Sequence, residues 1–261
     1  MESNYRDWPA VSQSELKDLA KSPRFYEAKY ILRTIPHEST RSQEIGTLVH
    51  AAILEDQKLW SIMAIPPKEV LASNGHRRGG AYDNWKALQG GKIIITEDEL
   101  QMIDAIVNQA RKHPVLQMFL ANKLQIEMPI LWEDVLSGLR CKGIPDLVCK
   151  TSYVVDVKTC QSVDDIERSV ATYGYHLQAA FYLRGCSAHY GNQYDNFVII
   201  AVETNPPYRI HARLLDEQAI VVGNMKIDEL LADYARRKEA NDWSEAAEKE
   251  ITVLSLPKWA V

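Results

Sequence analysis

The most constraining feature of the sequence is a short run of valines that carries two charged residues. Val154, Val155 and Val157 give this segment the apolar, β-branched character of a strand. Asp156 and Lys158 are set into it, and because side chains two positions apart on a strand point the same way, both lie on one face. An acid and a lysine on one face of a buried strand indicate a chemical site; the alternative is a structural ion pair at a sheet edge.

A second aspartate, Asp146, precedes this strand by ten residues. A hairpin centred on Thr151 pairs residue 147 with 155 and residue 146 with 156, so that Asp146 faces Asp156. Opposed side chains on such a pair have Cβ atoms ~4.5–5.5 Å apart, and two like charges there repel. A hard divalent cation with oxygen ligands offsets the repulsion, and magnesium fits because it needs only one or two carboxylates plus a substrate phosphate.

Lys158 lies beside this predicted metal, where it can orient an attacking water or help to deprotonate it. The metal would polarise a phosphorus centre and stabilise the leaving oxygen, which predicts phosphodiester hydrolysis without a covalent intermediate. The triplet of acid, any residue and lysine carries little information alone, because it also occurs in polar segments at Glu15–Lys17, Glu27–Lys29 and Asp56–Lys58. Its strand context and the preceding aspartate distinguish the copy at 156–158.

The remaining hydrophobic pattern predicts the elements around this centre. We expect a helix at 42–60, a helix capped by Thr96 and Glu99 that stops at His113, strands at 126–132, 139–149 and 153–158, a helix at 174–189, strands at 196–203 and 208–214, and a long helix after Ile220. The order helix, three strands, helix, strand predicts an α/β fold with a mixed central β-sheet flanked by helices. We expect one domain over 1–261, with a helical portion at 1–120 and the catalytic sheet at 121–261.

Charge and composition limit the classes of partner. The formal net charge of −5 gives no overall attraction to nucleic acid, so any DNA contact depends on a local basic surface. The best candidate is a glycine-rich segment at about 68–92, predicted to be a loop, whose proposed DNA-binding residues are Arg77, Arg78, Lys86 and Lys92. The alternative is an exposed loop without a partner.

Cysteine spacing and hydropathy bear on cofactors and location. Four cysteines lie at wide intervals without a CxxC pair, so we expect free thiols, mostly buried, and no zinc or redox dithiol. No run approaches the ~18 apolar residues of a membrane span, and the first residues show no signal peptide. We therefore expect a cytoplasmic protein with no membrane partner.

Taken together, these motifs resemble the PD-(D/E)xK nuclease signature, and the predicted element order is similar to the core of that superfamily. Gln178 and Tyr182 in HLQAAFYL resemble the QxxxY motif of its RecB-like branch, and His50 in GTLVHAAILE resembles the histidine of that branch. More narrowly, the chain resembles RecE-type (exonuclease VIII-like) phage and prophage exonucleases in VSQSELKDLAKSPRFY, GTLVHAAILE, GIPDLVCK, VDVKTC, YGYHLQAAFY and LPKWA.

The resemblance implies roles for the central residues. Asp146 and Asp156 would bind the metal together with the backbone carbonyl of Val157, and Lys158 would be the catalytic lysine. His50 would be a further metal ligand or would organise the site.

Three more residues are candidates at this site. Gln178 and Tyr182 are four apart, hence on one helix face, where the resemblance implies that they hold the DNA backbone or orient Lys158. Glu127 is a candidate extra acid, with an edge-strand glutamate beside Pro129 as the alternative.

The resemblance also implies an activity and its partners. It implies an Mg²⁺-dependent exonuclease, with Mn²⁺ able to substitute, that acts on double-stranded DNA ends from 5′ to 3′. It further implies 3′ tails for a single-strand annealing or recombinase protein, and a ring-shaped homo-oligomer, a trimer or tetramer, that encloses DNA. We expect no iron-sulfur cluster, because clustered C-terminal cysteines are absent from the sequence. The alternatives are a RecB-like endonuclease, a single-strand nuclease, or a DNA-binding ring without catalysis.

Overall fold

The computed structural model describes residues 5–36, 38–245, 248, 251 and 253–256. Its α-helices are α1 (Gln13–Lys21), α2 (Pro23–Tyr26), α3 (Arg41–Leu54), α4 (Asp56–Ile62), α5 (Gly80–Ala87), α6 (Glu97–Lys112), α7 (Pro114–Ala121), α8 (Ile166–Tyr173), α9 (Tyr175–Tyr190) and α10 (Glu217–Ala240). Its strands are β1 (Val11–Ser12), β2 (Met63–Ala64), β3 (Ile93–Ile94), β4 (Lys123–Ile126), β5 (Ile130–Glu133), β6 (Arg140–Gly143), β7 (Leu147–Cys149), β8 (Tyr153–Cys160), β9 (Asn196–Glu203) and β10 (Ile210–Leu214). Of the LPKWA segment, only Leu256 lies among the described residues.

The central sheet has the strand order β10-β9-β8-β7-β4. Strands β8 and β9 are parallel, whereas the other neighbours are antiparallel. Two short sheets accompany it, one in the order β1-β6-β5 and one that pairs β2 with β3. The sheet is therefore mixed, and the predicted α/β fold class is confirmed.

Strict alternation along β8 and β9 places a hydrophobic core on each face of this sheet. On one face Val154 packs with the buried residues of α9 and α10. On the other face Val155 and Val157 pack with those of α3, α6 and α7. Asp156 belongs to the face of Val154, so its side chain points toward the helix that carries Gln178.

The predicted strand at 126–132 is wrong as one element. Glu127 adopts a left-handed backbone conformation with φ of 44°, which an extended strand does not allow, and Pro129 lacks the N–H that a ladder needs. The chain therefore divides into β4, which joins the central sheet, and β5, which pairs with β6.

The predicted strand at 139–149 is also divided. Residues 144–146 lie outside any strand, and Pro145 has no N–H to donate to a ladder. Strand β6 belongs to the three-stranded sheet and β7 to the central sheet. Asp146 consequently sits at a bend immediately before β7, and not within a strand.

Two helical predictions need the same kind of correction. The helix predicted at 42–60 is divided at Glu55, whose φ of −143° and ψ of 67° are not helical, into α3 and α4. The basic segment at 68–92 is not a continuous loop, because it contains a 3₁₀ turn at Lys68–Val70 and α5. The predicted cap of α6 is confirmed: Thr96 and Glu99 exchange backbone-to-side-chain hydrogen bonds of 2.8 and 3.1 Å.

All four cysteines are free thiols, as predicted, and three of them are buried, namely Cys141, Cys149 and Cys186. Burial raises the pKa of each of these thiols, so they remain protonated and unreactive at neutral pH. Among the described residues, none of the helices combines the length and the apolar character needed to cross a bilayer.

Candidate active site

The centre of the site is Asp156, a charged residue with no exposed surface in the middle of β8. Its Oδ1 accepts a hydrogen bond of 2.8 Å from Nε2 of Gln178 on α9. Its Oδ2 lies 2.7 Å from Nζ of Lys158, two residues further along the same strand face. Asp156 and Lys158 therefore lie on one face of β8, as predicted, and their side chains are in direct contact.

Asp146 reaches the site from the neighbouring strand. The predicted hairpin register is confirmed, since Leu147 pairs with Val155, and Asp146 lies one position before this pair. Its carboxylate does not simply face that of Asp156, because Oδ2 accepts a hydrogen bond of 2.8 Å from the N–H of Val157. The bend at Pro145 releases Asp146 from the ladder, so its side chain substitutes for the missing strand partner.

The backbone of Val157 contributes to the same edge. In a sheet, the N–H and C=O of one residue point toward the same neighbouring strand. Since the N–H of Val157 points at Asp146, its carbonyl faces that side as well. This carbonyl therefore lies on the side of β8 to which the Asp146 side chain is bonded.

His50 approaches from α3. Its Nδ1 lies 3.3 Å from Oδ2 of Asp146, and one fifth of its side chain is exposed. Of the two roles given to it, this contact fits that of a residue that organises Asp146.

Burial raises the pKa of Asp156 to about 6, with the charge of Lys158 opposing the shift and that of Asp146 adding to it. Removal of water from a carboxylate disfavours its charged form. The site therefore holds a carboxylate that lacks sufficient positive charge around it, and an additional cation there would stabilise the ionised state.

For Lys158, the charges of neighbouring groups outweigh the effect of burial on its pKa. Burial lowers the pKa of its ammonium, but the charges of Asp156 and Asp146 together outweigh this effect, so the pKa is raised. Nζ also lies 5.0 Å from the centre of the Tyr175 ring, a cation–π distance. Lys158 is therefore a cation in the metal-free protein and can stabilise negative charge, whereas its predicted part in orienting or deprotonating water stays a prediction.

Gln178 and Tyr182 lie on the same face of α9, as predicted, and their implied contact with the DNA backbone stays a prediction. Gln178 holds Asp156 and not Lys158. The ring of Tyr182 packs against β6 at Gly143, where a Cβ would come within 2.9 Å of the ring. Burial raises the pKa of Tyr182, so its hydroxyl stays protonated. Both residues support the site from the helix side.

Glu127 is a neighbour of the cluster through its backbone. Its N–H donates a hydrogen bond of 3.0 Å to the carbonyl of Asp146. Its carboxylate, however, forms an ion pair with Lys58 on α4. The structure therefore places this acid beside the site with its side chain directed away from Asp156.

The basic segment does not touch the carboxylates. Arg78 and Lys86 are exposed, while Arg77 donates to the carbonyl of Ile94 and Lys92 to that of Trp60. Lys92 also lines a cavity of about 350 Å³ together with Glu127, Lys58 and Thr47 on α3. One end of this segment thus lies beside the α3 face that carries His50.

The donor set can be tested against a divalent metal. Among the described residues, no group of three or more His, Cys, Asp or Glu side chains forms a metal cage by itself. Oδ2 of Asp156 is nevertheless buried and, beyond its ion pair of 2.7 Å with Lys158, has no hydrogen-bond partner among the described residues. Magnesium requires one or two carboxylates and takes its other ligands from water and substrate phosphate. The carboxylates of Asp146 and Asp156 with the Val157 carbonyl fit this ion.

One aromatic ring and one cation near the cluster were not predicted from the sequence. Tyr175 lies under Lys158, and its position three residues before Gln178 on one helix face could have indicated it. Lys17, set aside as part of an uninformative triplet, donates a hydrogen bond of 2.6 Å to the carbonyl of Tyr173. No local signal predicts that contact, because it joins residues 156 positions apart.

A family model described as PDDEXK-like domain of unknown function (DUF3799) matches residues 12–252. This chain belongs to that PDDEXK-like family. The match contains the Pro145-Asp146 and Asp156-Val157-Lys158 motifs and the fold described above. The family places the chain in the PD-(D/E)xK superfamily; it does not distinguish the RecE-type branch.

Comparison with solved structures supports the PDDEXK-like fold. A protein named "Putative exonuclease" from Eubacterium rectale aligns with a TM-score of 0.63 and 15% identity over 98% of this chain and 96% of that one. An alkaline exonuclease (LHK-Exo) from Laribacter hongkongensis aligns at a TM-score of 0.29 and 15% identity, over 74% and 97% of the two chains. No curated protein matches the sequence. The first likeness shows the fold alone, and the second is too low to carry an argument.

Proposed function

We propose that this PDDEXK-like protein is a metal-dependent deoxyribonuclease, and specifically an Mg²⁺-dependent exonuclease of double-stranded DNA. The observation that carries the proposal is the buried Asp156, whose Oδ2 lies 2.7 Å from the ammonium of Lys158 and whose carboxylate lies near that of Asp146. A purely structural ion pair does not need a second aspartate beside it. A metal-dependent hydrolytic site uses the second carboxylate as a further ligand.

The residues of the chain divide the chemistry among them. Asp146, Asp156 and the Val157 carbonyl would hold Mg²⁺, which polarises the phosphodiester and acidifies water when bound. The ammonium of Lys158 would stabilise the negative charge that develops on the phosphoryl oxygens, as an electrostatic donor aimed at the transition state. Gln178 holds Asp156 in place from α9.

The finer assignment to an exonuclease is supported by the RecE-type motifs in the sequence and by the name of the E. rectale protein. We propose digestion from 5′ to 3′ that leaves 3′ single-stranded tails. These tails would be the substrate of a single-strand annealing or recombinase protein in the cytoplasm. Mn²⁺ is expected to replace Mg²⁺, because both are hard cations that accept carboxylate and water ligands.

We further propose that the protein works as a ring-shaped trimer or tetramer. The net charge of −5 disfavours DNA binding by the surface as a whole. The exposed cations Arg77, Arg78 and Lys86 lie within one segment, and a ring would concentrate several copies of it around an enclosed duplex. Light scattering combined with gel filtration tests this directly, and a monomer at working concentration would contradict it.

The central experiment uses linear duplex DNA labelled at either the 5′ or the 3′ end, with Mg²⁺, Mn²⁺ or a chelator. We expect mononucleotides to appear first from the 5′-ended strand, only with metal. A closed circular duplex should resist digestion. Equal digestion of circular and linear duplex would favour an endonuclease, and preference for unpaired DNA would favour a single-strand nuclease.

Variants of the cluster make the assignment specific. Asp156→Ala and Lys158→Ala are expected to lower the cleavage rate by at least about 10²–10³-fold, the usual effect of losing one electrostatic group of an active site. Asp56→Ala is the matched control, because Asp56 and Lys58 repeat the same triplet on the exposed start of α4. Unchanged cleavage by Asp156→Ala would show that the catalytic assignment to this cluster is wrong.

A further inference from the structure

A groove of about 660 Å³ opens beside the catalytic lysine. It is bounded by the start of α3, the residues that follow β8, the end of α8 and Tyr175 at the start of α9. Tyr175 belongs to both regions, since its ring lines the groove and also lies under the ammonium of Lys158. The groove therefore begins where the proposed reaction occurs, and its volume is that of a small-molecule site.

The charge of the groove argues against a phosphate as its occupant. Its charged lining side chains, among the described residues, are Arg41, Glu99 and Asp165. The guanidinium of Arg41 is already bonded to Glu99 at 2.9 Å and to Glu44 at 2.7 Å. The remaining polar lining is neutral and able to donate and accept hydrogen bonds, and it includes Ser42, Thr159, Gln161, Ser162 and Asn205. Such a lining suits the edge of a nucleobase.

The aromatic wall of the groove supplies a surface for stacking. Tyr173 is 55% exposed at the end of α8, and its ring centre lies 5.8 Å from that of Tyr175 with a tilt of 33°. The turn between them is held by Lys17, whose ammonium donates to the Tyr173 carbonyl at 2.6 Å. An exposed ring on a fixed turn, one side chain beyond Lys158, is an arrangement that stacks a base.

We propose that this groove binds the base of an unpaired nucleotide next to the scissile phosphate, with Tyr173 as its stacking platform. A base inside a duplex has both faces covered, and a terminal base has one free face but keeps its pairing edge bonded to its partner. A base that stacks on Tyr173 and turns its pairing edge to the polar lining of the groove has therefore left its partner. The inference rests on the proposed nuclease function and extends it: the strand being cut is separated from its complement at the site.

The test compares cleavage of DNA with and without the base. Short duplexes carry one abasic nucleotide on either side of the scissile phosphate, and single-turnover rates and KM are measured for wild type, Tyr173→Ala and Tyr173→Phe. On intact DNA we expect Tyr173→Ala to lower the single-turnover cleavage rate by roughly 5- to 100-fold, which corresponds to the free energy of stacking one base. Tyr173→Phe should keep the wild-type rate. On DNA that is abasic at the recognised position, the loss caused by Tyr173→Ala should disappear.

Leu214→Ala is the matched control, because Leu214 is an apolar side chain of similar exposure on β10, outside this groove. Circular dichroism and thermal melting confirm folding of each variant. An equal loss by Tyr173→Ala on intact and abasic DNA, or no loss on either, would overturn the inference.

A binding measurement separates this inference from the nuclease proposal. DNA with 2-aminopurine at the same positions is titrated with protein in chelator, where no cleavage occurs. We expect wild type and Tyr173→Phe to quench the fluorescence of 2-aminopurine, and we expect no quenching by Tyr173→Ala. If wild-type protein cleaves no DNA under any metal, the proposed function fails; if it cleaves DNA but quenching is identical in all three proteins, only the base groove fails.

Discussion

Nε2 of Gln178 on α9 donates a 2.8 Å hydrogen bond to Oδ1 of the buried Asp156 on β8. This bond fixes one carboxylate oxygen and leaves Oδ2 directed toward Lys158. A carboxylate held at one oxygen presents the other in a defined direction, which is how residues behind a metal ligand tune its geometry. Gln178 is thus a positioning residue in the proposed reaction.

Gln178→Ala is therefore expected to lower kcat by roughly 10–100-fold while KM for DNA stays unchanged. Gln178→Glu should be worse, because it places another carboxylate against Asp156. Steady-state kinetics on linear duplex measure both effects, with Gln193→Ala in an exposed loop as the control. A change confined to KM would instead make Gln178 a DNA-backbone ligand.

Magnesium is expected to stabilise the folded protein through the same carboxylate. At a concentration about 100 times its Kd, a ligand that binds only the folded state adds about 2.7 kcal/mol. Thermal melting with Mg²⁺ against chelator should show a rise in Tm for wild type and for the control Asp56→Asn. Asp156→Asn should show none, and an equal rise in that variant would remove Asp156 from the metal site.

Stability without metal should depend on pH through Asp156. Burial raises its pKa from 3.8 to about 6, so the folded state binds this proton more tightly than the unfolded state does. The resulting stabilisation is complete below the unfolded pKa and is lost as pH rises through about 6.

We expect the free energy of unfolding of wild type, relative to Asp156→Asn, to fall by on the order of 2 kcal/mol between pH 4 and pH 7. Urea denaturation in chelator at a series of pH values provides the measurement. A difference between the two proteins that stays constant over this range would show that Asp156 does not hold its proton as its burial implies.

The basic segment should contribute to affinity through phosphates. Each phosphate contact lowers the slope of log K against log salt concentration by about 0.9. We expect the double variant Arg77→Ala/Arg78→Ala to bind duplex DNA more weakly and to reduce the magnitude of that slope by up to about 1.8. The matched double variant Lys226→Ala/Lys238→Ala, on exposed positions of α10, should bind like wild type; the same loss in both would reflect net charge alone.

Much of the central sheet could be predicted because its signals are local. The runs of apolar and β-branched residues in β8 and β9 identify both strands, and β9 has the predicted bounds of Asn196–Glu203. The short turn around Thr151 determines the hairpin register that pairs Leu147 with Val155. These two facts place Asp146 and Asp156 near each other without knowledge of any distant contact.

The divisions of the predicted strands depended on more than hydrophobic alternation. The pattern from Ile126 to Trp132 suits one strand. The left-handed backbone of Glu127 and the missing N–H of Pro129 interrupt it, so β4 and β5 belong to different sheets. Pro145 does the same between β6 and β7. The consequence for the site is that Asp146 is released from the ladder and bonds to Val157 instead.

The amino-acid sequence by itself determined which residues share the face of β8 and which aspartate stands opposite. Only the tertiary structure decided what those groups do, because the contacts that set their charge and orientation come from distant helices. Because α9 packs on the sheet, Gln178 donates a hydrogen bond to Asp156 and the ring of Tyr175 lies under Lys158. This packing also buries Asp156, which raises its pKa, and holds Lys158 beside two carboxylates whose charges keep it protonated against the effect of burial.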